Sequence, residues 1–268
     1  MNRAAARAGM PAPSPRAATE RVARRRFAGV ALLLAAVGAA ATVAGCTGMP
    51  ATAALPMPGG WMLSMAWMPL CGRGWLDAMA GFLGMWTAMS VAMMTPVAAP
   101  ALWRYRRAVA AAGGMHPDRQ AAWAGAAYLL AWTACGLAVY PSGLALAMAV
   151  TRWPTLARAV PFAAVGVVLA AGAMQFSAWK ARRLACCRGL AECAAVGAAA
   201  AWRKGLRLGL HCVACCANLL AALLALGIMD LRAMAVVTAA IAGERLAPDG
   251  PRAARLAGVA VAVAGLWH

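Results

Sequence analysis

The feature that most constrains this chain is a run of uncharged residues bounded by arginines. "FAGVALLLAAVGAAATVAG", Phe27 to Gly45, follows "RVARRR" and carries no charge. Crossing the hydrocarbon of a bilayer takes about 20 apolar residues in a helix. Comparable blocks recur at 75–100, 121–140, 156–176 and 208–229, with shorter ones at 231–243 and 256–267. A segment in lipid must satisfy its own backbone polar groups, and a helix does so. The chain therefore reads as all-α, a polytopic transmembrane helical bundle of about six or seven spans. "PSG", Pro141 to Gly143, marks a break after the third block.

Charge supplies the orientation. Only 12% of the 268 residues are charged, yet the net charge is +18. A balance that basic could signal nucleic acid, but the arginines lie in short clusters beside the apolar blocks. Arg24–Arg26, Arg104–Arg107, Arg182–Arg183 and Arg252–Arg255 alternate with connections that carry little charge. That distribution is the positive-inside pattern. It excludes nucleic acid as the partner and points to the lipid bilayer. It predicts a multi-pass protein of the bacterial inner (cytoplasmic) membrane with its N-terminus in the cytoplasm.

The chain divides into four regions. Residues 1–26 read as a disordered, basic cytoplasmic tail. Residues 27–45 read as a signal-anchor helix, although "VAGC", ending at Cys46, has the form of a lipoprotein signal. Residues 46–75 form an outer loop rich in Met, Pro and Gly. Residues 76–268 form the helical membrane domain, in which 190–204 is amphipathic or interfacial.

Within that domain "HCVACC", His211 to Cys216, stands at the expected mouth of the fifth span, on the cytoplasmic side. At about 100° per residue, His211, Cys212, Cys215 and Cys216 fall within an arc of about 140°. Asn218 extends the same face. Thiolate and imidazole are soft to borderline ligands, suited to Cu(I) or Zn. One helix cannot close a tetrahedral shell, so other segments must contribute. Cys186 and Cys187, with Cys193 close in sequence, are the natural donors on that side. Nearby arginines and a helix N-terminus would both favour thiolates.

Methionine is the second signal. "WMLSMAWMPLC" places Met62, Met65 and Met68 three apart, and "GMWTAMSVAMMTP" carries Met89, Met93 and Met94 on the second span. Thioethers select Cu(I), so both groups are candidate relay ligands. Methionine also packs well in membrane helices, and that reading stays open.

These elements resemble a family of bacterial integral-membrane proteins described as metal-binding, some of whose members are labelled copper chaperones. The resemblance covers about residues 76–244. Trp86, Met89, Met93, Met94 and Pro96 match its Trp and Ala-Met-Met-x-Pro element, and Tyr128 and Trp132 match aromatic positions of the third span. Gln175, Lys180, Cys187 and Arg188 match the end of the fourth. Gly209, Cys212, Cys215, Cys216, Gly227, Met229, Met234 and Glu244 match the fifth span and the segment C-terminal to it. The chain departs from the pattern at Ala127, Met174, Ala178, Arg183, Ala214, Ala217 and Arg245. The resemblance implies metal ligands at Cys212, Cys215, Cys216 and Cys187, with Cys186 compensating for Arg183. His211 is outside the family pattern and would be accessory. Glu244, Lys180, Gln175 and Asp77 would support the ligands, with Glu244 holding Lys180 or an arginine near the thiolates.

The leading functional reading is copper handling or delivery, with Cu(I) as the cargo and zinc as the other option. A copper-dependent membrane enzyme, or its assembly machinery, would be the partner. One alternative is a membrane thiol–disulfide redox protein using Cys212 and Cys215. Another is a structural or assembly factor without metal. No nucleotide loop or hydrolytic triad assigns an enzymatic activity.

Overall fold

The computed structural model describes residues 15–48, 54–64, 67–68, 74–189, 196–228, 230–247 and 249–267. The elements are helix α1 (Pro15–Thr47), strands β1 (Ala54–Met57) and β2 (Trp61–Ser64), and helices α2 (Trp75–Ala111), α3 (Pro117–Arg152), α4 (Pro154–Met174), α5 (Ala178–Gly189), α6 (Ala198–Leu226), α7 (Leu231–Leu246) and α8 (Gly250–Trp267). Five of the described helices, α1 to α4 and α6, are long and apolar enough to cross a membrane. The all-helical bundle expected from the apolar blocks is the fold observed.

The helix ends differ from the apolar blocks. α1 begins at Pro15, inside the basic segment rather than at Phe27. α2 continues past Pro100 through "WRYRR" to Ala111. α3 does not break at "PSG": it carries Pro141 in its interior and runs to Arg152. The break falls instead at Trp153, which is extended (φ −123°, ψ 99°) before Pro154. A residue preceding proline is driven out of the helical region by the proline ring. α6 starts at Ala198, far ahead of the apolar block at Leu208. Alanine is the strongest helix former, so "AAAAW" extends the helix into the polar segment, where Arg203, Lys204 and Arg207 can snorkel.

The segment between α1 and α2 contains a hairpin. β1 and β2 pair antiparallel with Met57 opposite Trp61 and Leu55 opposite Leu63. Gly59 (φ 108°) and Gly60 (φ 79°) supply the left-handed turn between them. Met57 and Leu63 pack with Ala147, Val150 and Ala157 at the α3–α4 junction, and the Trp61 indole N–H donates to Ala157 O at 2.9 Å.

The core sits between α2, α3 and α6, and α6 packs most extensively against α3. Small residues set the spacing. A Cβ on Gly205 would lie 2.0 Å from Ala124 O, and one on Gly209 would lie 2.6 Å from Ala131 Cβ and 2.9 Å from Tyr128 O. The backbones therefore meet directly, as small residues allow in membrane helix pairs. Gly136 makes room for Trp86, whose indole N–H donates to Trp132 O at 2.8 Å. α1 lies on α2 and turns Leu32, Leu33 and Val37 outward. That exposure suits a helix facing lipid.

Candidate metal centre

Because α6 begins at Ala198, "HCVACC" lies in the middle of the helix and not at its mouth. The N-terminal dipole therefore does not act on these thiols, since that effect fades within the first turn. Cys212, Cys215 and Cys216 are all buried thiols, at 1%, 0% and 1% exposure. His211 is half-buried.

Helical spacing splits the three cysteines. Cys212 and Cys216 belong to the core with Met89, Met93, Met94, Tyr128 and Trp132. The Tyr128 hydroxyl donates to Cys212 Sγ at 3.1 Å, and Cys216 lies beside both Cys212 and Cys215. Cys215 packs instead against Leu184 of α5. α5 thus covers Cys215, and the backbone of Cys186 and Cys187 continues along it. The side chains of Cys186 and Cys187 lie outside the described residues, as does all of Cys193.

Cys216 and three methionines converge on one small cavity. Its wall includes Met89, Ser90, Met93, Met94, Trp132 and Cys216, and its free volume is about 10 Å³. That is room for roughly one water-sized particle. Ser90 Oγ and Trp132 Nε1 on this wall are buried with no hydrogen-bond partner among the described residues. Met89, Met93 and Met94 are spaced to face α6 from α2, and all are buried. No three His, Cys, Asp or Glu side chains among the described residues form a group that could hold a metal ion. What the cavity offers is sulfur: one thiol and three thioethers, with the Cys212 thiol adjacent. That donor set fits Cu(I), which takes thiolate and thioether. It fits zinc poorly, because zinc sites are built from Cys, His and carboxylate ligands.

A second polar centre lies behind Cys215. Lys180 Nζ and Glu244 Oε2 are 2.8 Å apart, with both side chains 1% exposed. Lys180 Nζ also donates to Cys215 O at 2.8 Å and to Asn218 Oδ1 at 3.4 Å. Gln175 Nε2 donates to Glu244 Oε1, and Asn218 Nδ2 donates to Ala171 O at 3.2 Å. The network ties α4, α5, α6 and α7 together. Arg245, the next residue after Glu244, is close enough for its charge to act on Cys212, Cys216 and Tyr128.

The remaining candidates lie elsewhere. Asp77 is exposed and caps its own helix, accepting from Gly74 N at 3.2 Å. It stands about 18 Å along α2 from Met89, at about 1.5 Å per residue. Met62 is 57% exposed on the hairpin, and Met68 packs with the hairpin cluster at the α3–α4 junction. Met65 lies outside the described residues. The Tyr128–Cys212 contact and the meeting of Cys216 with the α2 methionines were not legible from spacing, because each joins different helices.

Five described helices are long and apolar enough to cross a membrane, which is the make-up of a helical membrane protein, and the bundle encloses buried sulfur and a buried ion pair. Residues 83–268 match the family model PpoB2, described as a copper chaperone, and the chain belongs to that family. No curated protein and no solved structure matches the chain.

Proposed function

We propose that the chain holds copper as Cu(I) inside its helical bundle and passes it on. Cys216 and Cys212 would be the thiolate ligands, and Met89, Met93 and Met94 the thioether ligands. The observation that carries this reading is the cavity shared by Cys216 and the three α2 methionines. Family membership supports copper as the metal, and the thiol and thioether donors support the reduced ion. Arg245 would balance the charge of bound thiolates. The positive-inside distribution supports the bacterial inner membrane with the N-terminus in the cytoplasm. The recipient would be a copper-dependent membrane enzyme or its assembly machinery.

The test is copper analysis of the purified full-length protein, loaded anaerobically with Cu(I). One copper per chain is expected, with X-ray absorption showing sulfur scatterers at thiolate and thioether distances. The Cys212→Ser/Cys216→Ser variant should lose it. A metal-free protein with a titratable Cys212–Cys215 disulfide would overturn the reading in favour of thiol redox chemistry.

A further inference from the structure

A second, larger cavity opens where α1, α2 and the end of α7 meet. Its volume is about 530 Å³. α1 contributes Arg24 and Phe27, α2 contributes Trp103 and Arg104, and α7 contributes Arg245. Arg24 and Arg104 on its wall are exposed, and no carboxylate among the described residues lines it. Ala28, Ala99 and Pro100 leave the space between them. Phe27 and Trp103 form an aromatic wall, with ring centroids 5.5 Å apart.

The arginines around the cavity are sorted. Arg106 stacks on Trp103 at 4.9 Å and pairs with Asp118. Arg107 pairs with Glu20 at 2.7 Å. Arg24 and Arg104 have no carboxylate partner among the described residues. A cleft with two exposed cations and no acid on its wall is complementary to a compact, multiply accepting anion. Guanidinium groups favour phosphate, which they can bind through paired hydrogen bonds.

The position selects the source of that phosphate. α1 and α2 are both candidate spans. Phe27 and Trp103 sit where the apolar part of α1 gives way to its arginines, which is headgroup level for an interfacial aromatic. From the cavity, α1 continues as an exposed apolar ridge through Val30, Leu33, Leu34 and Val37. An acyl chain can lie on that ridge while the phosphate stays among the arginines. Basic pockets between membrane helices on the cytoplasmic side suit anionic headgroups. We propose that this cavity binds the phosphate of an anionic glycerophospholipid, held by Arg24 and Arg104 against the Phe27–Trp103 wall.

The site stands apart from the sulfur cavity and does not depend on copper. The test uses full-length protein in nanodiscs of phosphatidylcholine containing a minor fraction of phosphatidylglycerol. Retained lipid is counted by native mass spectrometry after release. Wild type should keep phosphatidylglycerol over phosphatidylcholine. Arg24→Gln/Arg104→Gln should weaken that preference about 30-fold, at roughly a factor of five per cation. Both side chains are exposed, so this variant should fold and should keep its copper content. Arg158→Gln, an exposed arginine at the other end of the bundle, should change nothing. Equal retention of the two lipids by wild type, or an unchanged preference in the double variant, overturns the proposal. Displacement of phosphatidylglycerol by millimolar inorganic phosphate would assign the site to a free anion, and would also overturn it.

Discussion

α6 carries two chemistries on different faces, and they are held by opposite means. Toward α2 and α3 it presents Cys212 and Cys216 to methionine, tyrosine and tryptophan, with no charged side chain on the cavity wall. Toward α4, α5 and α7 it presents Cys215 O and Asn218 to a buried ammonium and carboxylate. The first face is soft, polarizable and nearly full. The second is charged and closed by hydrogen bonds. The contrast teaches that cysteines adjacent in sequence need not share a task. Cys215 stands one position before Cys216, yet it packs on Leu184 and lends its carbonyl to Lys180.

The largest effect should come from breaking the charged face. Glu244→Leu leaves Lys180 buried without its counter-charge, which costs about 3–5 kcal/mol. Thermal unfolding in detergent should show the loss. Lys180→Met/Glu244→Leu should recover most of it and still bind copper. Loss of copper from that folded double variant would merge the two faces into one site.

Next comes the soft face. Cys216→Ser should weaken Cu(I) binding by about 100-fold or more, at the upper end of what losing a metal-site group costs, whereas Cys215→Ser should keep most of it. Competition with a chromogenic Cu(I) chelator reads both. Equal losses would show that Cys215 turns toward the metal, and the division between faces would fail.

The seam beneath both faces ranks third. Gly209→Ala inserts a methyl against Ala131 and the Tyr128 carbonyl and should cost about 1–3 kcal/mol, measured by the same unfolding assay. The smallest effect should come from Tyr128→Phe. It removes one hydrogen bond to Cys212, worth about 0.5–1.5 kcal/mol. Copper affinity should fall about tenfold or less, without loss of folded protein.

The bundle was legible because apolar blocks must become helices in lipid. Helix ends were not, since hydropathy marks the hydrocarbon layer and not the last hydrogen bond. Ala198 to Leu208 and Pro15 to Phe27 show the difference at two helix starts. The hairpin at Ala54–Ser64 was hidden behind a loop-like composition of Pro, Gly and Met. In the site, residue types were readable and partners were not. The spacing of "HCVACC" treats His211, Cys212 and Cys215 as equals. Only the packing of α2 and α5 around α6 assigns Cys216 to the methionines and Cys215 to Lys180.

The glycine seam also decides which part of the site can move. At Gly205 and Gly209, α6 rests on the backbone of α3 with only the Ala131 methyl between them. Sliding or rolling α6 would drive carbonyl oxygens into Cα atoms, so Cys212 and Cys216 are anchored to a rigid frame. Met89, Met93 and Met94 stand on the other helix, and each has an unbranched chain that turns freely about its bonds. On the proposed function, transfer of cargo would be a swing of thioethers past stationary thiols, with the sulfur of α2 as the arm and that of α6 as the fixed post.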